Sequence, residues 1–381
     1  MQMKSVALVT EYNPFHNGHL YHAKQSKSIS GADISVAIMS GQFVMRGAPA
    51  FYNKFLRTRM ALQAVDIVVE LPAFAAISAG QYFAESAVKV AQYLNVDHLS
   101  FGSESGNITE FQQVAQQLTQ LEHTPAFTQK VKEGKSYPRI ISELTNNNTI
   151  LKSPNNTLGV SYVRAIQQYA PHIQPWTISR HQTNHHESNI INPTYASGTS
   201  IRNALQDNDP SWQSVVPNDI QQLYTAPHLT VEQCFPFLKY AIITHSIEAL
   251  QGIHLMNEGL EQRIKKYIGQ ATSFAELMQL LKTKRYTYTH IQRVLMNILL
   301  QFYQGDKPQN IEAVHILGMS QQGQRYLKQL KKQFPERHFV TNINKQNAHF
   351  FSSEIRATTV YNLLSQQQAT DFNIPVIRTE T

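Results

Sequence analysis

Val9-Thr10-Glu11-Tyr12-Asn13-Pro14-Phe15-His16-Asn17-Gly18-His19-Leu20 is the stretch on which the reading of this chain turns, and it runs on into Tyr21 and His22. The apolar residues 6–10 (VALVT) enter a polar turn that holds Pro14, and a helical pattern starts near Gly18. A strand, a turn and a helix in this order place the turn at the carboxyl end of the first strand of an α/β sheet, where ligands bind. A helix start offers unsatisfied N–H groups and a positive dipole end, both suited to phosphate. Gly18 removes a side chain where a phosphate must come close. His16 and His19 lie three apart, so both imidazoles can face one ligand and donate to phosphoryl oxygens. A bare H-x-G-H would serve equally well as a cap or a surface pair. Its position after a first strand favours the ligand.

Outward from this stretch the two periods alternate. Residues 6–10, 34–39 (ISVAIM), 66–71 (DIVVEL) and 98–102 (HLSFG) are short and apolar or β-branched, as in buried parallel strands. Helical patterns over 19–30, 53–64 and 81–94 separate them, and residues 175–180 (PWTISR) supply a fifth strand. The expectation is an α/β fold, a Rossmann-like parallel sheet covered on both faces, in a first domain over 1–205. From about Gln206 strand signals fade. Helical patterns over 237–251, 258–267, 274–281 and 290–302 predict a mainly helical second domain over 206–381, joined through 207–217 (DNDPSWQSVVP). The tail from Arg337 has no clear period.

Composition bounds the rest. Of 381 residues 42% are hydrophobic and 15% charged, a globular balance. No stretch approaches the roughly 20 apolar residues of a membrane-spanning helix. No small-residue cleavage site follows the N-terminal apolar run, which argues against a signal peptide. A single cysteine, Cys234, excludes an internal disulfide and fits a reducing, cytoplasmic setting. The net charge of +7 permits an anionic partner without demanding one.

A second phosphate signal is Ser197-Gly198-Thr199-Ser200-Ile201-Arg202, with hydroxyls and a cation at a helix start. Alone, Thr199 or Ser200 reads as a simple N-cap. Gly134-Lys135-Ser136 resembles the end of a P-loop, but Gln129 stands where a glycine is needed and no strand leads in. His181, His185, His186 and Glu187 match no strong zinc spacing and read as a polar loop, so no metal ligands are assigned. Arg46, in Gly41–Gly47 after the second strand, faces the ligand side or solvent.

The paired motifs resemble the HIGH-motif nucleotidyltransferase superfamily, which includes the catalytic cores of class I aminoacyl-tRNA synthetases. The chain is most similar to the bacterial tRNA(Met) cytidine acetate ligase family. The likeness rests on residues 11–22 (EYNPFHNGHLYH), Met39-Ser-Gly-Gln-Phe43 with Arg46-Gly47, Phe101-Gly-Ser-Glu104, Ser153-Pro-Asn-Asn156 with Leu158-Gly159, and Leu281-Lys-Thr-Lys-Arg-Tyr286. Gly198 departs from a superfamily that often has a second serine there. The resemblance implies a HIGH-type catalytic domain and a tRNA-binding C-terminal domain. It implies ATP as co-substrate, with Mg²⁺, activating acetate as acetyl-adenylate, and acetyl transfer to the wobble cytidine of elongator tRNA(Met). By that likeness residues 9–22, Gly102, Asn155, Arg180, His181 and Ser200 hold the nucleotide, and His16, His19 and Arg202 are catalytic. The chemistry suits the residues: step one needs positioned phosphates and neutralised charge but no covalent nucleophile.

Between Arg263 and Arg293 seven basic residues (Arg263, Lys265, Lys266, Lys282, Lys284, Arg285, Arg293) face one acid, Glu276. Lys282-Thr-Lys-Arg-Tyr-Thr-Tyr288 interleaves cations with aromatics, as phosphate contact with base stacking requires. The tRNA contacts expected are Lys282, Lys284, Arg285 and Arg293. Lys328, Lys331 and Lys332 read as a solvated face. Two other readings stand beside this one. A small-molecule adenylyl- or cytidylyltransferase would need no basic helical half. A non-catalytic RNA binder would need no intact His16, His19 and Arg202.

Overall fold

The computed structural model describes residues 3–135, 137–145, 148–179, 189–257 and 259–380. Five parallel strands form its centre: β1 (Ser5–Thr10), β2 (Ile34–Ser40), β3 (Ile67–Leu71), β4 (His98–Ser103) and β5 (Gln174–Ser179). Their order is β3-β2-β1-β4-β5. Every residue of β2 and β3 is buried, which is why these stretches read as continuous apolar runs. The chain reverses its winding between β1 and β4, so the crevice at their carboxyl ends is the switch point of the sheet. All five expected strands appear within a residue or two of their expected limits.

Helix α1 (Asn17–Ser30) leaves the β1 turn and ends at Gly31 in the left-handed region (φ 60°). Helix α2 (Lys54–Ala61) packs into the same core cluster as α1, α3 (Gly198–Gln206) carries the second motif, and α4 (Tyr288–Leu300) lies in the helical half. The pattern over 237–251 resolves into two helices, Phe235–Thr244 and Ile247–Gln251, because Ser246 takes the Ala249 N–H (3.1 Å) and starts a new turn.

Residues 206–381 are not wholly helical. Strand β6 (Ala313–Met319) pairs antiparallel with β3, and β7 (His338–Val340) and β8 (Ile377–Arg378) pair parallel with β6. The sheet therefore draws strands from both sides of the expected 205/206 junction. A buried ion network holds this return. Lys54 Nζ of α2 contacts Glu70 Oε1 (2.6 Å) on β3 and Asp371 Oδ1 (2.5 Å) in the tail, and His315 Nδ1 on β6 lies 2.8 Å from Glu70 Oε2. Burial opposes the Lys54 charge, yet its two carboxylates raise its pKa overall. Burial also opposes the Glu70 charge, and Lys54 with His315 outweighs it, taking the carboxyl down to about 2. Among the described residues no helix is long and apolar enough to cross a membrane.

Candidate nucleotide site at the end of the first strand

The turn after β1 is held almost carbonyl by carbonyl. Arg57 of α2 donates through Nη1 to Glu11 O (2.6 Å) and Ser40 O (2.9 Å), through Nε to Tyr52 O (2.9 Å), and through Nη2 to Gly41 O. It thus ties the ends of β1 and β2 together while fully buried. Burial draws its guanidinium down to about 10, with Tyr361, Glu11 and Glu70 acting against the shift, so it stays charged at neutral pH. The Met45 N–H donates to Glu11 Oε1 (2.6 Å), and the Phe51 N–H to Asn13 Oδ1 (2.7 Å). The Tyr224 hydroxyl donates to Phe15 O. Tyr12 sits in the left-handed region (φ 45°) with its ring buried beside Phe15, and the Asn13–Pro14 bond is cis. The hydrogen bonds from Arg57, Met45, Phe51 and Tyr224 leave the turn little reorganisation to undergo.

His16 is the N-cap of α1. Its Nδ1 accepts the Gly18 N–H (3.1 Å), so in the neutral ring the proton is on Nε2. The His19 ring stacks on it, centroids 3.7 Å apart and planes 26° off parallel, and Tyr12 meets His19 edge-on at 4.9 Å. Gly18 has a second reason to be glycine. A Cβ there would lie 2.9 Å from His16 Cε1 and 3.0 Å from Nδ1, pushing the ring off the helix end. Asn17 Nδ2 reaches Thr194 O (3.0 Å) and Ser214 O (3.3 Å), fastening the helix start to the segments before and after α3. Val9 and Thr10 close β1. Leu20, Tyr21 and His22 lie within the first two turns of α1, Leu20 against the core and Tyr21 edge-on to Tyr195 at 6.3 Å.

The second motif converges on the same turn. Arg202 Nη1 donates to Asn13 O (2.6 Å) and Nη2 to Thr199 Oγ1 (3.1 Å). Burial, then the neighbouring Arg46, pulls the Arg202 guanidinium down to about 10, while Glu11 supports its charge. A Cβ on Gly198 would stand 3.0 Å from Asn13 O and 3.3 Å from Arg202 Nη1, so any side chain here requires the turn or Arg202 to give by a few tenths of an ångström. Ser197 is the N-cap, accepting from Ser200 N (3.1 Å), and Ser200 Oγ donates to Ser197 O (2.9 Å) inside the core. The Ser200 hydroxyl therefore serves its own helix start.

Across the switch point Gly102 is half-buried near the end of β4. Asn155 Nδ2 donates to Glu104 Oε1 (2.7 Å) and the Asn156 N–H to Glu104 Oε2 (3.1 Å), which places Asn155 on the rim beyond β4. Arg180 and His181 lie outside the described residues, as do His185, His186 and Glu187. Lys284 and Arg285 are exposed. Lys282 is turned back on its own loop, donating to Thr283 O (2.9 Å) and Tyr286 O (2.7 Å). Arg293 lies apart from them, half-buried, with Nε donating to Met45 O (2.6 Å).

Glu70, His315 and Asp371 approach one another as metal ligands would, but the Lys54 ammonium already bridges Glu70 and Asp371. Cys234 is buried and its thiol is pushed up to about 12, first by burial and then by Glu232, so it is no nucleophile at neutral pH. Arg57 was invisible from the sequence: within KFLRTRMA it reads as one cation on an amphipathic helix, and only the fold shows it buried.

A family model of the HIGH nucleotidyl transferases matches residues 3–373. The tRNA(Met) cytidine acetate ligase of Staphylococcus saprophyticus is 64% identical over 376 residues, 99% of this chain and all of that one. The Staphylococcus aureus (strain MRSA252) protein of the same name is 55% identical, with 99% of each chain covered. The crystal structure of Thermotoga maritima TmcAL bound with alpha-thio ATP superposes with a TM-score of 0.87 at 26% identity, covering 99% of this chain and 100% of that one. The apo form reaches 0.90. This chain belongs to the HIGH nucleotidyl transferase family and, within it, to the tRNA(Met) cytidine acetate ligases.

Proposed function

We propose that this chain is an ATP-dependent acetate ligase that acetylates the wobble cytidine of elongator tRNA(Met). In the first step an acetate oxygen attacks the α-phosphorus of ATP, the bond to the β-phosphate oxygen breaks, and acetyl-adenylate and pyrophosphate form. In the second the cytidine N4 amine attacks the acetyl carbon, loses a proton, and expels AMP. An amine this weak needs an acyl donor as activated as a mixed anhydride.

The observation that carries the reading is the convergence of two distant motifs on one turn: stacked His16 and His19 at the N-terminus of α1, and Arg202 hydrogen-bonded to Asn13 O. In this reading His16 donates through Nε2 to a phosphoryl oxygen, His19 adds a second imidazole, and Arg202 neutralises charge that grows on the leaving pyrophosphate. Magnesium held by the triphosphate would neutralise the remaining phosphate charge. Glu11, the carboxylate in the turn between β1 and α1, would be the protein group to hold it, which fits an ion that takes one or two protein carboxylates and otherwise phosphates and water. Acetate is assigned to the Gly41–Gly47 side, where exposed Arg46 stands near Arg202. The tRNA is assigned to the helical half, with Lys284 and Arg285 on phosphate.

Pyrophosphate exchange into ATP, with and without acetate, followed by acetyl transfer to tRNA(Met), tests this. Acetate-dependent exchange supports it, and exchange that needs a phosphorylated cofactor precursor overturns it. His16→Ala is expected to abolish exchange while the protein stays folded. Undiminished exchange in that variant removes the role given to His16.

A further inference from the structure

The loop between β2 and α2 is a small hairpin, Phe43–Val44 paired with Ala48–Pro49, and its tip is wedged between the catalytic turn and α4. On one side the Met45 N–H donates to Glu11 Oε1 at 2.6 Å. On the other, Met45 O accepts from Arg293 Nε at 2.6 Å. Beside it Gly47 (φ 80°) presses backbone on backbone: a Cβ there would lie 2.5 Å from Arg293 N and 2.6 Å from Gln292 C. Glu11 in turn supports the charges of Arg202 and Arg293. One peptide unit after another thus links a guanidinium on α4 to the carboxylate in the turn that carries His16.

The basic, aromatic segment Lys282–Tyr288 also runs into the N-terminus of α4, with Thr287 as its N-cap. Arg293 is half-buried, and its Nε is turned inward onto Met45 O, away from the exposed Lys284 and Arg285.

We propose that Arg293 is a positioning residue for the first chemical step: by holding Met45 from behind it fixes Glu11, and through Glu11 the charge balance around Arg202. This rests on the acetate-activation reading above. The guanidinium touches neither nucleotide nor RNA. It acts at one remove, so its loss is felt in the rate of adenylate formation and not in tRNA affinity.

The test uses the full-length protein and the variants Arg293→Ala, Arg293→Lys, Glu11→Ala and the double Arg293→Ala/Glu11→Ala, with Gly47→Ala to displace the hairpin from the other side. Acetate-dependent pyrophosphate exchange, tRNA(Met) affinity with its salt slope, and thermal midpoints are measured on each. Arg293→Ala is expected to lower kcat/KM for exchange about tenfold or more, the loss of one charge-assisted contact. Arg293→Lys recovers most of it, since an ammonium still donates to Met45 O, and tRNA affinity and salt slope stay within about twofold. The double variant is no slower than the slower single, because with Glu11 gone there is nothing further for Arg293 to place. Gly47→Ala is slowed in the same way. Unchanged exchange in Arg293→Ala overturns the proposal. So does weakened tRNA binding with a shallower salt slope, which makes Arg293 a phosphate contact. Additive losses without rescue by lysine also overturn it, marking a packing role. If wild-type protein shows no acetate-dependent exchange, it is the underlying reading that fails.

Discussion

Arg202→Lys is the substitution that most sharply separates a bidentate clamp from a mere positive charge. The guanidinium divides its donors: Nη1 gives one N–H to Asn13 O at 2.6 Å and Nη2 one to Thr199 Oγ1 at 3.1 Å, and the second N–H of each Nη is what it can offer to phosphate. Lysine offers one nitrogen, which cannot hold the turn and the ligand in the same geometry. The variant keeps the charge and loses one charge-assisted contact. Such a contact is worth about 1.5–3 kcal/mol, and each ~1.4 kcal/mol is tenfold, so kcat/KM for exchange should fall roughly 10- to 150-fold. Arg202→Ala loses the charge as well and should fall further. The assay is acetate-dependent pyrophosphate exchange over ranges of ATP and acetate, with the thermal midpoint as a check on folding. If Arg202→Lys stays within about twofold of wild type, charge alone suffices and the clamp is refuted. If the loss tracks a collapse of the thermal midpoint, Arg202 is a structural tie between α3 and the turn.

Glu354→Gln should remove a pH dependence of stability. Burial first, then the Glu70 charge, raises the Glu354 carboxyl from 4.5 to about 7, with the Ala73 N–H (2.8 Å) working against them. The folded state therefore keeps a proton that the unfolded state releases, and stability falls as pH rises from about 4.5 to about 7, by roughly 3 kcal/mol in all. Urea midpoints of the glutamine variant should match wild type near pH 4.5 and exceed it at pH 8; equal midpoints at pH 8 would contradict the shift. Replacing Lys284 and Arg285 with alanine should weaken tRNA binding and lower its salt slope by about two, with acetate-dependent exchange intact. Equal loss of both activities would point to misfolding.

The catalytic half was legible because its signals are local. VALVT, ISVAIM and DIVVEL are short buried runs bounded by turns, and the histidine string follows the first of them. Strand β6 has the same character in AVHILGM, yet a buried strand amid helical patterns cannot be told from a helix by periodicity alone. It joins the sheet by pairing with β3, next to a network of Lys54, Glu70, His315 and Asp371 whose members are scattered over more than three hundred positions. Residue types pointed to His16, His19 and Arg202, which the fold brings to one turn. They could not announce the direction of a side chain. Ser200 folds into its own helix start, Lys282 folds onto its own loop, and Arg293 meets a carbonyl. Arg57, which orders the turn most heavily, looks like any helix cation until its burial is known.

A crystal structure with a slowly hydrolysed ATP analogue and acetate tests the central claim most directly. The triphosphate should lie over the N-terminus of α1 with His16 Nε2, the His19 imidazole and the Arg202 fork about 3 Å from phosphoryl oxygens, and the α-phosphorus should face acetate near Gly41–Gly47. Nucleotide seated away from that turn, or those three side chains directed away from its phosphates, would contradict the account.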